Sequence, residues 1–204
     1  MKAQNSLLKI LGVCQIIIFL SSCATTVKFT YEVKKSPLVE TKVNSNATIY
    51  LSMVDLRPEP VIIGYIDNLF EMRVKKVKTS DPDITKSIIE KYKNEFSKLG
   101  FNLSENEKNS DLKLNMSITA FLGEMRPGIV DLVTQADCCI NVSLVSAKEN
   151  NEIFKRNICG KGEKTTPLIA SKKDIPEALS YAVNDVLSKL LNETDIINLI
   201  NKYK

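Results

Sequence analysis

Histidine and tryptophan are absent from the 204 residues. Without His there is no Ser–His or Cys–His nucleophile pair, no imidazole general base and no His-containing zinc site. A dominant charge is missing too. The 28 basic side chains exceed the 24 acidic ones by only four, and no Lys/Arg-dense stripe suited to a phosphate backbone occurs. Nucleic acid is therefore not an expected partner. Internal repeats and low-complexity segments are also lacking. The paired carboxylates Asp81/Asp83 and Glu105/Glu107 fall at a helix start and in a polar loop, where they serve capping and solvation. Gly160-Lys161-Gly162 is too short for a phosphate loop and reads as a strand end or bulge. Ser143 and Ser146 have no base placed beside them. The sequence predicts no catalytic residue, no metal site and no cofactor, hence a protein that is not an enzyme.

What is present begins at the N-terminus. Lys2 and Lys9 flank a short positive region, and Ile10 to Leu20 is apolar except for Gln15. As a helix this run would span about 16 Å, half of a hydrocarbon core. That is short for a membrane span and right for a signal-peptide core. It ends in Leu20-Ser21-Ser22-Cys23, which looks like a bacterial lipobox: a branched aliphatic, two small residues, then the thiol that becomes a thioether to diacylglycerol. Residues 1–22 are expected to be a lipoprotein signal, and Cys23 the lipidation site. Three fatty-acyl (palmitate-type) chains hold a protein on a membrane effectively permanently, where one does not. Ala24 rather than Asp follows the cysteine, which by the sorting rule of Gram-negative lipoproteins favours the outer membrane, facing the periplasm.

Of the five cysteines, Cys14 leaves with the signal. Cys138, Cys139 and Cys159 remain, in a compartment where disulfides persist. A hairpin from Ala136 to Gly162, turning at Lys148 to Asn151, places Cys138 or Cys139 opposite Cys159. The hairpin allows a cross-strand Cys139–Cys159 bridge, with Cys138 then a small buried hydrophobe; a one-residue slip would select Cys138 instead.

Residues 23–46 are polar and read as an acylated tether with one short strand around Val27 to Val33. A single α+β domain is expected over 47–204. Ala47 to Val54 reads as its first core strand. Val61 to Ile66 and Phe70 to Lys78 are extended, the second with a mixed pattern suited to an exposed ribbon. Ile84, Ile88, Tyr92, Phe96 and Leu99 form one stripe of a helix that closes at Gly100. Leu112 to Leu122 alternates strictly, as a half-buried strand does. Ile129 to Ser146 and Glu152 to Gly162 follow as strands. Asp174-Ile175-Pro176-Glu177 opens a second helix, with proline in the first turn where its missing N–H is harmless. A short third helix carries Ile196, Ile197, Leu199 and Ile200. The predicted fold is a two-layer α+β domain, a mostly antiparallel sheet with two amphipathic helices on one face. A right-handed β-α-β crossover is expected around the first helix.

In this order the chain resembles the YajG family of small envelope lipoproteins. The resemblance runs from about Ile49 to Ile200: a strand into Asp55-Leu56-Arg57, a helix ending Leu99-Gly100-Phe101, and alternation from Asp111-Leu112-Lys113-Leu114. Ala136-Asp137 opens the hairpin, and the helix with Ile175, Ala178 and Asp185 leads on to Thr194, Ile196 and Ile200. The Pro58/Pro60 stretch and the hairpin cysteines depart from the family pattern. The resemblance transfers no catalytic motif and no defined molecular role. Asp55 and Arg57, two apart at a strand end, read as an ion pair fixing the turn into Pro58, or as a polar recognition site beside Val61 to Ile66; the first is favoured.

The function expected is a membrane-anchored, non-enzymatic interaction or scaffold module of the outer membrane. Its partners are the membrane, through the acyl chains, and other envelope proteins. The alternatives are an accessory subunit of an envelope transport or secretion complex, docking through a free sheet edge or the Val61 to Phe70 ribbon, and a carrier of a lipid or cell-wall fragment.

Overall fold

A computed structural model describes residues 24–31, 43, 45–68, 70, 72–81, 83–128, 130–167, 171 and 173–203. The expected signal segment, residues 1–22, and Cys23 lie outside the described residues. The strands are β1 (Thr25–Val27), β2 (Thr48–Asp55), β3 (Ile62–Asp67), β4 (Arg73–Thr79), β5 (Asn102–Leu103), β6 (Leu112–Pro127), β7 (Asp131–Ser146) and β8 (Asn151–Pro167). The helices are α1 (Ile84–Lys98), α2 (Asp174–Leu191) and α3 (Thr194–Lys202).

The organising element is β6. Along one side it pairs antiparallel with β7 over its whole length, and β7 with β8. Along the other side it serves two partners in turn. Its first half runs parallel to β2, from Ile49↔Leu112 to Asp55↔Ile118. Its second half runs parallel to β3, from Gly64↔Gly123 to Ile66↔Met125. The sheet therefore forks. One branch continues β2–β5, the other β3–β4–β1. The pairs β1–β4, β2–β5, β2–β6 and β3–β6 are parallel, so the eight strands form a mixed, open sheet, and the expectation of a mostly antiparallel one holds only in part, for the long β6–β7–β8 ladders and β3–β4. No parallel β-α-β unit encloses α1: β4 is antiparallel to β3, and through it opposite in direction to β5.

The helices and the sheet meet where the apolar stripes predict. Ile84, Ile88, Tyr92 and Phe96 of α1 are buried against β2 and β5. Asp83 caps the helix, its carboxylate accepting from Thr85 N at 3.0 Å, and Gly100 takes the left-handed φ of +88° that ends it. Helix α2 buries Ile175, Leu179, Val183, Val186 and Leu190 on β6, β7 and β8. Its close approach depends on Gly160 and Gly162, which lie in mid-strand rather than at an end or bulge. A Cβ on Gly162 would stand 2.0 Å from Ala178 O, and one on Gly160 2.2 Å from Ala182 O.

Three differences from the sequence reading have physical causes. First, the polar N-terminal stretch is not a tether up to residue 31: β1 adds to the β4 edge, and Phe29 and Tyr31 are fully buried. Phe29 meets Phe121 edge-on at 5.0 Å, and the Tyr31 hydroxyl donates to Asn184 Oδ1 at 2.9 Å. Second, β4 is an interior strand between β1 and β3. Val77 and Thr79 face the core while Lys76 and Lys78 face solvent, which produces its mixed pattern. Third, a bulge between Ile118 and Ala120 reverses the inward set of β6. Leu112 to Ile118 point in at even numbers, then Phe121 and Met125 at odd ones, so Ala120 and Leu122 turn to the helix-free face.

Candidate functional site

The bulge lies where β6 exchanges β2 for β3. The last rung to the β2 branch is Leu56 N donating to Ile118 O, at 3.0 Å, and β3 pairing starts at Gly123. Between them β6 has no strand neighbour on this side. Arg57 fills the gap. Its Nη1 donates to Phe121 O (3.0 Å) and Ile62 O (2.8 Å), and Nη2 to Pro60 O (2.6 Å). Nε and Nη2 also grip Asp55, at 2.9 Å to Oδ1 and 2.7 Å to Oδ2. The guanidinium carbon stands 5.2 Å from the Phe121 ring centre. All five N–H donors of the planar fork are thus engaged within the protein. The Arg57 and Asp55 side chains are only 7% and 12% exposed. This geometry gives the pair a structural role, joining the two branches, and leaves no donor for a ligand.

Outside this plug a shallow groove of about 290 Å³ opens on the helix-free face, lined by Arg57, Pro58, Ile62, Tyr65, Arg73 and Leu122 among others. The Arg73 guanidinium stacks 4.2 Å above the Tyr65 ring and reaches Glu124 at 2.7 Å. Arg126 bridges Glu124 (2.8 Å) and Asp67 (3.4 Å). On the chain segments that enter and leave the Arg57 turn, Val54, Leu56 and Val61 are exposed. Exposed apolar side chains together with a half-exposed, stacked arginine suit a protein surface with apolar and acidic groups.

The cysteines divide by face. Cys139 and Cys159 are opposite each other in the β7–β8 register, with Cα atoms 4.1 Å apart, and are joined by a disulfide on the helix-free side. Cys138 is buried on the helix side, where desolvation pushes its thiol up to about 12, with Arg57 opposing. It is an inert core residue at neutral pH. Among the described residues no group of Cys, Asp and Glu is arranged to hold a metal ion, and no helix is long and apolar enough to cross a membrane. Sequence reasoning put Phe29 and Tyr31 in a short strand of a polar tether and missed that they belong to the core. Val27, Phe29 and Tyr31 alternate with Lys28 and Thr30, a period-2 signal only five residues long.

A family profile described as uncharacterized lipoprotein matches residues 35–201. The chain belongs to this YajG-like lipoprotein family. Among solved structures, the lipoprotein is similar to protein XCC0632 from Xanthomonas campestris, at 15% identity and a TM-score of 0.59, over 86% of this chain and 97% of that one. That likeness shows a shared fold. A minor lipoprotein from Acinetobacter baumannii is more distant, at 12% identity and a TM-score of 0.38, over 76% and 92% of the two chains. No curated protein sequence matches this lipoprotein.

Proposed function

We propose that the lipoprotein is acylated at Cys23, held in the outer membrane facing the periplasm, and acts there as a non-enzymatic docking module for another envelope protein. The observation that carries this reading is the exposure of Val54, Leu56 and Val61, on the chain segments entering and leaving the Arg57 turn, together with the groove that Tyr65 and Arg73 line. Large apolar side chains left in water around a polar notch mark interaction surfaces. Arg57 holds the two branches rigid beneath them, so the surface is preformed. Confinement to a membrane plane raises the effective concentration of such a module for partners in the same plane.

The carrier reading has less support. The layer between helices and sheet is filled by Phe29, Tyr31, Tyr92, Phe96 and Phe121. The apolar pocket bordered by Val27, Ile66, Val77, Met125 and Ile175 measures about 90 Å³, well below the ~300 Å³ at which ligand sites begin.

A photo-cross-linking residue at Leu56 in living cells tests the proposal. A discrete adduct with an envelope protein, abolished by Val61→Asp in a folded chain, is the expected result. A stoichiometric set of several proteins would favour the accessory-subunit alternative. No adduct at Leu56 or Val61 would overturn the docking role.

A further inference from the structure

We infer that one end of the domain, the rim formed by the β3–β4 and β6–β7 connections, sits in the lipid headgroup region of the membrane that carries the anchor. The inference rests on the lipoprotein reading and adds a second, non-covalent membrane contact to it.

Strand register places the anchor at this end. Thr25 pairs with Val77, and Val77 with Gly64. Ala24 is therefore level with Lys76, Tyr65 and Glu124, about three strand residues or roughly 10 Å short of the end of β6. A peptide bond keeps the Cα of the preceding cysteine about 3.8 Å from that of Ala24. The thioether must therefore stand within a few residues' length of the rim.

The chemistry of the connections differs between the two ends. At the anchor end, Phe70, Met72 and Val130 are exposed, Phe70 by 81% and Val130 by 76%, with Val74 at the start of β4 also exposed. Arg73, Arg126 and Lys173 also lie there, the two arginines paired with Glu124 and Asp67 and the end further balanced by Asp131. At the opposite end the connections read Ser104-Glu105-Asn106-Glu107-Lys108-Asn109 and Ala147-Lys148-Glu149-Asn150. No exposed large apolar side chain occurs there among the described residues. Apolar tips flanked by basic side chains, at the end holding the acyl chains, fit an interface buried about 5–10 Å into the headgroup and acyl boundary.

The chain has no tryptophan, so single Trp probes report one position each. Phe70→Trp, Val130→Trp and, at the far end, Lys148→Trp are made in the full-length lipoprotein. Each is purified from membranes and reconstituted into phosphatidylethanolamine/phosphatidylglycerol vesicles with brominated acyl chains, and its intact mass is recorded. The expected result is a blue-shifted emission that loses most of its intensity at positions 70 and 130, and no quenching at 148. An acylated protein unquenched at 70 and 130 overturns the rim and leaves the anchor standing. Quenching at all three positions overturns the orientation. If the mass shows no acylation, the anchor reading fails; quenching at 70 and 130 alone would still support the rim, and its absence would overturn both.

Discussion

At the scale of single residues, Arg57 is the side chain on which most depends. Replacing it by Ala leaves three main-chain carbonyls and the Asp55 carboxylate without their donors in a nearly closed site. Breaking such a pair from one side costs about 3–5 kcal/mol, and urea unfolding of Arg57→Ala should show a loss of that order. Arg57→Lys should recover little of it, because a point-charge ammonium cannot span acceptors set around a planar fork. Asp111 acts at the far end. Its carboxylate accepts from Thr48 N (2.8 Å) and Thr48 Oγ1 (2.7 Å), which hold its pKa below the ordinary 3.8. A lowered folded-state value contributes stability that is present above the unfolded pKa and lost as pH falls through the folded one. Acid titration of unfolding should therefore show Asp111→Asn less sensitive than the wild type below about pH 4; equal slopes would refute the assignment.

At the scale of elements, Gly160 and Gly162 make β8 a smooth bed for α2. Gly162→Ala must push the helix off the strand, because the new methyl meets main-chain atoms and not a movable side-chain end. A loss of about 1–3 kcal/mol is expected, read as a lower thermal midpoint with the disulfide intact. The same elements show what is legible in a sequence. Helices α1 and α2 and the strand from Leu112 announce themselves because a stripe or an alternation records which face meets the core. The Asp83 cap, the Gly100 stop and the break before Thr194 are local chemistry and are equally readable. Neighbours are another matter. Nothing in Leu112 to Pro127 tells that one strand borders two others in succession, so the parallel pairs and the fork stayed hidden. The bulge at Thr119 flips the residues from Ala120 to Pro127 without disturbing composition. Arg57 was visible as a partner of Asp55, but its three carbonyl acceptors exist only because the sheet divides. The groove beside it inherits the same obscurity: Tyr65 and Arg73 stack across a strand pair, a contact no spacing encodes.

At the scale of the whole molecule, the lipoprotein is one sheet with its helices on one face and exposed apolar side chains both around the fork and at the β3–β4 and β6–β7 end. Phe29 and Tyr31 stitch residues 24–31 into the core, so with Cys23 acylated as proposed, a force on the membrane side would be delivered to β4 and α2 directly. If position matters to docking, ten Gly/Ser residues inserted between Ala24 and Thr25 should leave fold and acylation intact while lowering the cross-link yield at Leu56. An unchanged yield would show that height is irrelevant.

The immediate start of β1 turns the protein from a line into a ruler. A floating leash of some 20 residues would let the domain wander roughly 25 Å in root-mean-square terms. With strand pairing beginning at Thr25, a rim seated in the headgroups as inferred would instead fix the fork about six strand residues below it, roughly 20 Å from the bilayer. A partner would have to present its docking segment at that altitude, so the distance between membrane and groove becomes part of what is recognised.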